Sequence, residues 1–212
     1  MGFFRTFLLG ERSAISPPID SSALLREATS QKAAGDINSA IELLRQFWLA
    51  EPFGSSGYGV EEYLRLPMYL QHAGLRDDAW GALNVLLTDY VLTPTKLNDQ
   101  CLPMMHSEIY DKMRLFWQRE GEPSIAVKYG ILSHVHWLIG LHRQRRREEL
   151  RDCAGPEAIV AVVEPLLKKA KKIRHKNSLC VLVESEVLKL PSLDVHSFAG
   201  AIDQLILTNQ ER

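Results

Sequence analysis

Seven histidines, three cysteines, several paired carboxylates and a dense run of cations are the side chains of this 212-residue sequence with chemistry to offer. Their spacing speaks against most of it. His72, His106, His134, His136 and His142 fall in one stretch, but His134 and His136 stand two apart. On a helix they face different ways and cannot close on one metal. Cys101, Cys153 and Cys180 are odd in number and dispersed, which suits reduced thiols better than a disulfide framework or a zinc spacing. Asp77–Asp78 follow a turn, where carboxylates favour the start of the next helix through its dipole; that role is preferred to general acid–base chemistry there and at Glu61–Glu62. No glycine-rich nucleotide loop, HExxH, GxSxG or CxxC motif is present. The expectation is a protein that is not an enzyme and needs neither cofactor nor metal.

Charge carries more information. Basic and acidic side chains nearly cancel over the whole chain, at −1, so wholesale polyanion binding is not expected. The distribution is uneven: residues 1–142 carry −4, residues 143–176 carry +6 and residues 177–212 carry −3. The middle block holds Arg143, Arg145, Arg146 and Arg147, then Lys168, Lys169, Lys171, Lys172, Arg174 and Lys176. It could meet phosphates, an acidic partner or the acidic flanks of its own chain, or simply form a solvated face. No aromatic residue is interleaved with it, so a stacking platform for single strands is absent.

The elements that must hold these residues are helices. Apolar residues recur at three and four from residue 21 onward, and the interruptions contain Gly or Pro. Leu24, Ala28 and Gln31 continue one face until Gly35-Asp36; a second helix, placed behind Asn38, carries Ile41, Leu44 and Trp48 to Pro52. Gly35, Gly74 and Gly121 each stand five residues ahead of an alanine, Ala40, Ala79 and Ala126. Glycine provides a left-handed helix stop and alanine lets two helices approach, so each trio reads as a helical hairpin. The segment from Pro123 to Asp152 reads as one long helix, apolar all round at first (Ile125, Val127, Ile131, Leu132, Val135) and basic at its end. Gly155-Pro156 opens a C-terminal module with a stripe through Ile159, Val163, Leu166, Ala170 and Ile173, which Pro165 is placed to kink. The β-branched runs at 159–163 and 179–183 leave short strands as a minor alternative. Asp194 is placed to cap a last helix ending near Leu207.

On these residues the chain resembles the tetratricopeptide-repeat family. Ala28, Gly35, Asp36, Ala40, Leu44 and Pro52 match the small residue, turn, packing alanine, large apolar residue and terminal proline of one repeat. Phe47 departs from it. A second unit keeps Leu70, Gly74, Ala79, Leu83 and Leu86 with Pro67 in place of the small residue. A third keeps Tyr110, Trp117, Gly121 and Ala126 with Arg114 there. The resemblance spans residues 21 to about 140 and implies an all-α fold of stacked antiparallel hairpins that binds a protein or peptide in a concave groove lined by the first helix of each hairpin. It places Leu25, Thr29 and Lys32, then Arg65, Met68 and His72, then Asp111, Lys112, Leu115 and Arg119 in that groove. Leu25 and Thr29 stand where chaperone-binding members carry a basic residue and an asparagine, so a clamped terminal carboxylate is not implied.

The expected organisation is a tail and linker over 1–19, a hairpin array over 20–152 and a C-terminal helical cap over 153–212. The first ten residues lack a secretory pattern but match the N-myristoylation pattern at Gly2 and Thr6. No apolar run reaches the ~18 residues of a membrane span. The reading that follows is a cytoplasmic adaptor or regulator with a protein partner, acidic where Arg65, Lys112 and Arg119 grip it. The alternative is a nucleic-acid-associated regulator using residues 143–176. The sequence leaves the oligomeric state, a homodimer included, open.

Overall fold

Single residues decide where the helices of this chain start and stop. The computed structural model describes residues 20–53, 57–88, 96–190 and 192–207, and among these it holds ten α-helices and no strand. The N-terminal tail with its Gly2 pattern lies outside the described residues. Asp20 caps α1, Ser21–Ala33, by accepting the Ala23 amide at 3.0 Å. Asp36 caps α2, Ile37–Ala50, through the Ser39 amide and hydroxyl, so the cap lies two residues ahead of Asn38. Next come α3, Val60–His72, α4, Arg76–Thr88, α5, Lys96–Arg119, and α6, Pro123–Arg143. The short α7, Arg147–Ala154, leads to α8, Pro156–Lys169, a 3-10 turn at Ile173–His175, α9, Lys176–Val187, and α10, Val195–Leu207. Asp194 caps α10 as its position suggests, accepting the His196 and Ser197 amides and the Ser197 hydroxyl. The β-branched runs at 159–163 and 179–183 are helical, in α8 and α9.

One turn design recurs. After α1, α3 and α5 the chain turns through Gly35, Gly74 and Gly121, with φ of +89°, +77° and +81°. The next amide reaches back to a carbonyl of the last helical turn: Asp36 to Gln31 at 2.9 Å, Leu75 to Leu70 at 2.9 Å and Glu122 to Trp117 at 2.8 Å. This is the six-to-one closure of a Schellman motif, which satisfies carbonyls the helix leaves orphaned. Two further turns use it without glycine. Lys171, φ +55°, ends α8 with the Lys172 amide on the Leu167 carbonyl at 2.9 Å, and Arg145, φ +58°, ends α6 with the Arg146 amide on Leu141 at 3.0 Å. The segment expected to run as one helix to Asp152 therefore stops at Arg143.

Helices pair as α1 with α2, α3 with α4, α5 with α6 and α8 with α9. Ala40, Ala79 and Ala126 are buried in the first turns of the second helices. One apolar cluster runs from Leu25 through Leu44, Tyr63 and Leu83 to Phe116, and a second runs from Val127 in α6 through Ile159, Val163 and Leu179 to Ile206 in α10. α6 thus ties the C-terminal helices to the array, and two glycines allow it. A Cβ on Gly130 would lie 2.5 Å from Leu166 Cδ1 of α8, and one on Gly140 would strike the Met104 side chain of α5. α10 returns to α6, where Lys128 Nζ meets Asp203 Oδ2 at 2.7 Å.

Candidate functional site

The first helices of successive hairpins touch through long side chains. From α3, Arg65 Nη2 donates to the Leu25 carbonyl at 2.8 Å and to Thr29 Oγ1 at 2.6 Å, both on α1. Lys32 Nζ of α1 sits 4.3 Å above the Tyr69 ring of α3, and the Arg65 guanidinium lies 6.0 Å from the same ring. From α5, Arg119 Nη1 donates to Gln71 Oε1 of α3 at 2.8 Å. From α8, Lys169 Nζ donates to Gln118 Oε1 of α5 at 2.6 Å. These contacts link α1 to α3, α3 to α5 and α5 to α8.

The residues expected in a groove differ in exposure. Thr29, Lys32, His72 and Arg119 are exposed, while Arg65, Met68, Asp111, Lys112 and Leu115 are half-buried. Leu25, at 8% exposure, belongs to the first apolar cluster instead. Asp111 is engaged by Arg114 one turn on, whose Nε and Nη2 donate to Oδ1 at 2.8 and 2.6 Å. Lys112 lies in the field of Glu108, whose carboxyl is pushed up by burial first and by the Glu61 charge second. Asp111 and Arg114 also edge a cleft of about 360 Å³ between α5, α6 and α8, which Ser107, Ser133, Trp137 and Pro165 help to line.

The basic segment divides into two clusters. Arg143, Arg145, Arg146 and Arg147 lie at the α6–α7 turn, beside the first half of α5, since Gln144 Nε2 reaches Met104 Sδ at 2.8 Å. Lys168, Lys169 and Lys172 lie at the α8–α9 turn, near the end of α5, as the Lys169–Gln118 bond shows. Fourteen helical residues separate those two anchors, roughly 21 Å at 1.5 Å per residue. Several of these cations already have carboxylates. Arg146 meets Glu149 at 2.5 Å, and Glu164 takes Lys168 at 2.5 Å and Lys176 at 2.7 Å. The two lysines hold the Glu164 carboxyl down at about 2.

Of the five histidines expected in or near the repeat region, two meet inside it. The His106 and His136 rings are 5.7 Å apart, and His136 stacks 4.8 Å from Tyr110. His136 Nδ1 lies 2.9 Å from the Leu132 carbonyl, to which the neutral ring donates. Burial is the main cause that lowers both rings to about 4, with Arg143 adding to it and the His136 charge adding to it at His106. They are neutral packing elements of an aromatic belt that continues through Tyr110 and Tyr129 to Trp80 and Trp117. Among the described residues no three His, Cys, Asp or Glu side chains converge as metal ligands would. No protein-family model, no curated protein and no solved structure matches this chain.

Proposed function

We propose that the protein is a non-catalytic interaction module, an adaptor or regulator acting in the cytoplasm, that captures a segment of another protein on the face formed by its first helices. The hairpins stack, on this reading, as tetratricopeptide repeats do, with first helices side by side and second helices behind them. The observation that carries the proposal is the chain of contacts from Arg65 to Leu25 and Thr29, and from Arg119 to Gln71. It links side chains from three hairpins, 36 to 48 residues apart in sequence, with Lys32, His72 and Arg119 exposed beside them. A helical array offers such a surface to extended segments because each hairpin adds one row of contacts.

Site-specific photo-crosslinking tests the assignment. Benzoylphenylalanine at His72 or Lys112 is expected to crosslink one partner protein, whereas the same group at exposed Glu42 on α2 is expected to leave it free. Crosslinking from Glu42 with none from the first helices overturns the proposal.

A further inference from the structure

Three of the four first helices end in a Lys or Arg, and three of the four second helices end in no basic residue. The last turns of α1, α5 and α8 hold Lys32, Arg119 and the pair Lys168–Lys169, and that of α3 holds His72, while those of α2, α4 and α9 hold no basic residue. α6, with His142 and Arg143, is the exception among the second helices. A helix dipole favours a cation at any C-terminus, so the dipole alone would not sort first helices from second.

The cations of the chain differ in their partners, and among the described residues those without a carboxylate include Lys112 and several at the two turns of the basic segment. Lys128, Arg45, Arg76, Arg114, Arg146, Lys168 and Lys176 all lie against carboxylates. Lys32, Arg65, Arg119 and Lys169 meet none among the described residues; their partners are the Tyr69 ring, the Leu25 carbonyl with the Thr29 hydroxyl, and the side-chain amide oxygens of Gln71 and Gln118. Four positive charges, contributed in order by α1, α3, α5 and α8, are thus held in place by neutral groups and left uncompensated. Positioned in this way, they have little conformational freedom left to lose on meeting an anion.

Building on the interaction-module reading above, we propose that these four cations form a docking rail for an acidic, extended segment of a partner protein, laid across α1, α3, α5 and α8. Spacing suits an extended chain. α3 and α5 pack closely, while long side chains bridge α1 to α3 and α5 to α8, so at about 10 Å a step the row is no shorter than roughly 30 Å. A strand advances about 3.3 Å per residue and covers that row in about nine residues, with alternate side chains facing the rail. Lys169 extends the surface into the C-terminal helices, beyond the three hairpins that first suggested a groove.

The test uses a fluorescein-labelled decaglutamate peptide and a ten-residue oligothymidylate as probes, read by anisotropy on the full chain at low and physiological salt. The variant Lys32→Glu/Arg119→Glu/Lys169→Glu reverses the rail and leaves Arg65, which holds α1 to α3, in place. The variant Arg146→Glu/Arg147→Glu/Arg151→Glu applies the same change of charge at the other end of α5. Circular dichroism and a melting curve confirm that both fold. The rail predicts that decaglutamate binding falls at least tenfold, about 1.4 kcal/mol, in the first variant and less than about twofold in the second. Equal losses in both, or no binding of decaglutamate to the parent, overturn the rail. Tighter binding of the oligothymidylate, lost in the first variant, also overturns it and assigns the surface to nucleic acid. A partner crosslinked from His72 that contains no acidic stretch overturns the rail alone and leaves the interaction-module reading intact.

Discussion

Lys171 carries a backbone conformation that glycine adopts freely, and replacing it tests the recurring turn directly. Its φ of +55° costs an L side chain about 1–2 kcal/mol, because Cβ crowds the following carbonyl. Glycine removes that cost but loses about 0.5–1 kcal/mol more backbone entropy on folding. Lys171→Gly is therefore expected to stabilise the chain by about 0.5–1 kcal/mol, or some 1–4 °C for a domain of this size. The side chain is exposed, so little packing changes with it. Lys171→Ala separates backbone from charge: it removes the ammonium, keeps the left-handed strain, and should melt close to the parent. Gly74→Ala provides the reverse case. Its Cβ would meet nothing within 4 Å, so the expected loss of about 1 kcal/mol is conformational strain alone. Thermal and urea unfolding of the three variants decide the matter. If Lys171→Ala stabilises as much as Lys171→Gly, relief of charge is the cause and the turn argument fails.

The buried histidine pair makes stability depend on pH in a defined window. Both rings are held at about 4 in the folded chain against 6.5 for a free ring, so the unfolded chain binds protons that the folded chain refuses. The neutral rings are fully compatible with folding above pH 6.5, and stability falls from there toward pH 4, by about 3 kcal/mol per ring if each acts alone. His106→Phe should flatten that slope in urea titrations, and an unchanged slope would contradict the burial argument. The caps at Asp36 and Asp194, whose carboxyls are lowered by hydrogen bonds from Ser39 and Ser197, weaken at lower pH, as it falls below the usual Asp range. Ala40→Trp and Ala79→Trp should each cost about 1–3 kcal/mol or more, because both alanines are fully buried where helices touch; a melting point within a degree or two of the parent would refute the hairpin register. Gly130→Val should push α8 from α6 at Leu166 and destabilise the second apolar cluster, seen as faster hydrogen exchange in α8 and α10 than in α2; uniform exchange would refute this.

How far the sequence could be read differs from one residue to the next. Gly35, Gly74 and Gly121 announce their turns because only glycine takes a positive φ at no steric cost, and Asp20 and Asp194 announce their helices by capping chemistry. Lys171 and Arg145 do the work of those glycines without the residue type that marks it, so the fourth hairpin and the stop after Arg143 left no local signal. The resemblance to a repeat family placed Thr29, Lys32, Arg65 and Arg119 on first helices, but a hydrogen bond such as Arg119–Gln71 joins residues 48 apart and leaves no periodic trace. Leu25 shared the groove register and turned inward, because a half-turn of rotation decides which side of a helix faces the core. The charges at 143–176 read as one block because they are contiguous; the chain separates them along α5, a distance that no composition window can register.

The return of α10 to α6 changes what kind of array this is. In an open solenoid each unit touches only its neighbours, so units can be deleted or duplicated like links of a chain. Here Phe198, Ile202 and Ile206 of α10 share a cluster with Val127 and Ile131 of α6, and the Lys128–Asp203 pair spans 75 residues. The α8–α9 hairpin is bracketed between its predecessor and a helix that reaches past it. Excising that hairpin would leave α10 without its register on α6, and inserting a copy would lift α10 away from its seat. From α6 onward the helices cannot be exchanged one by one, because α10 closes back on α6.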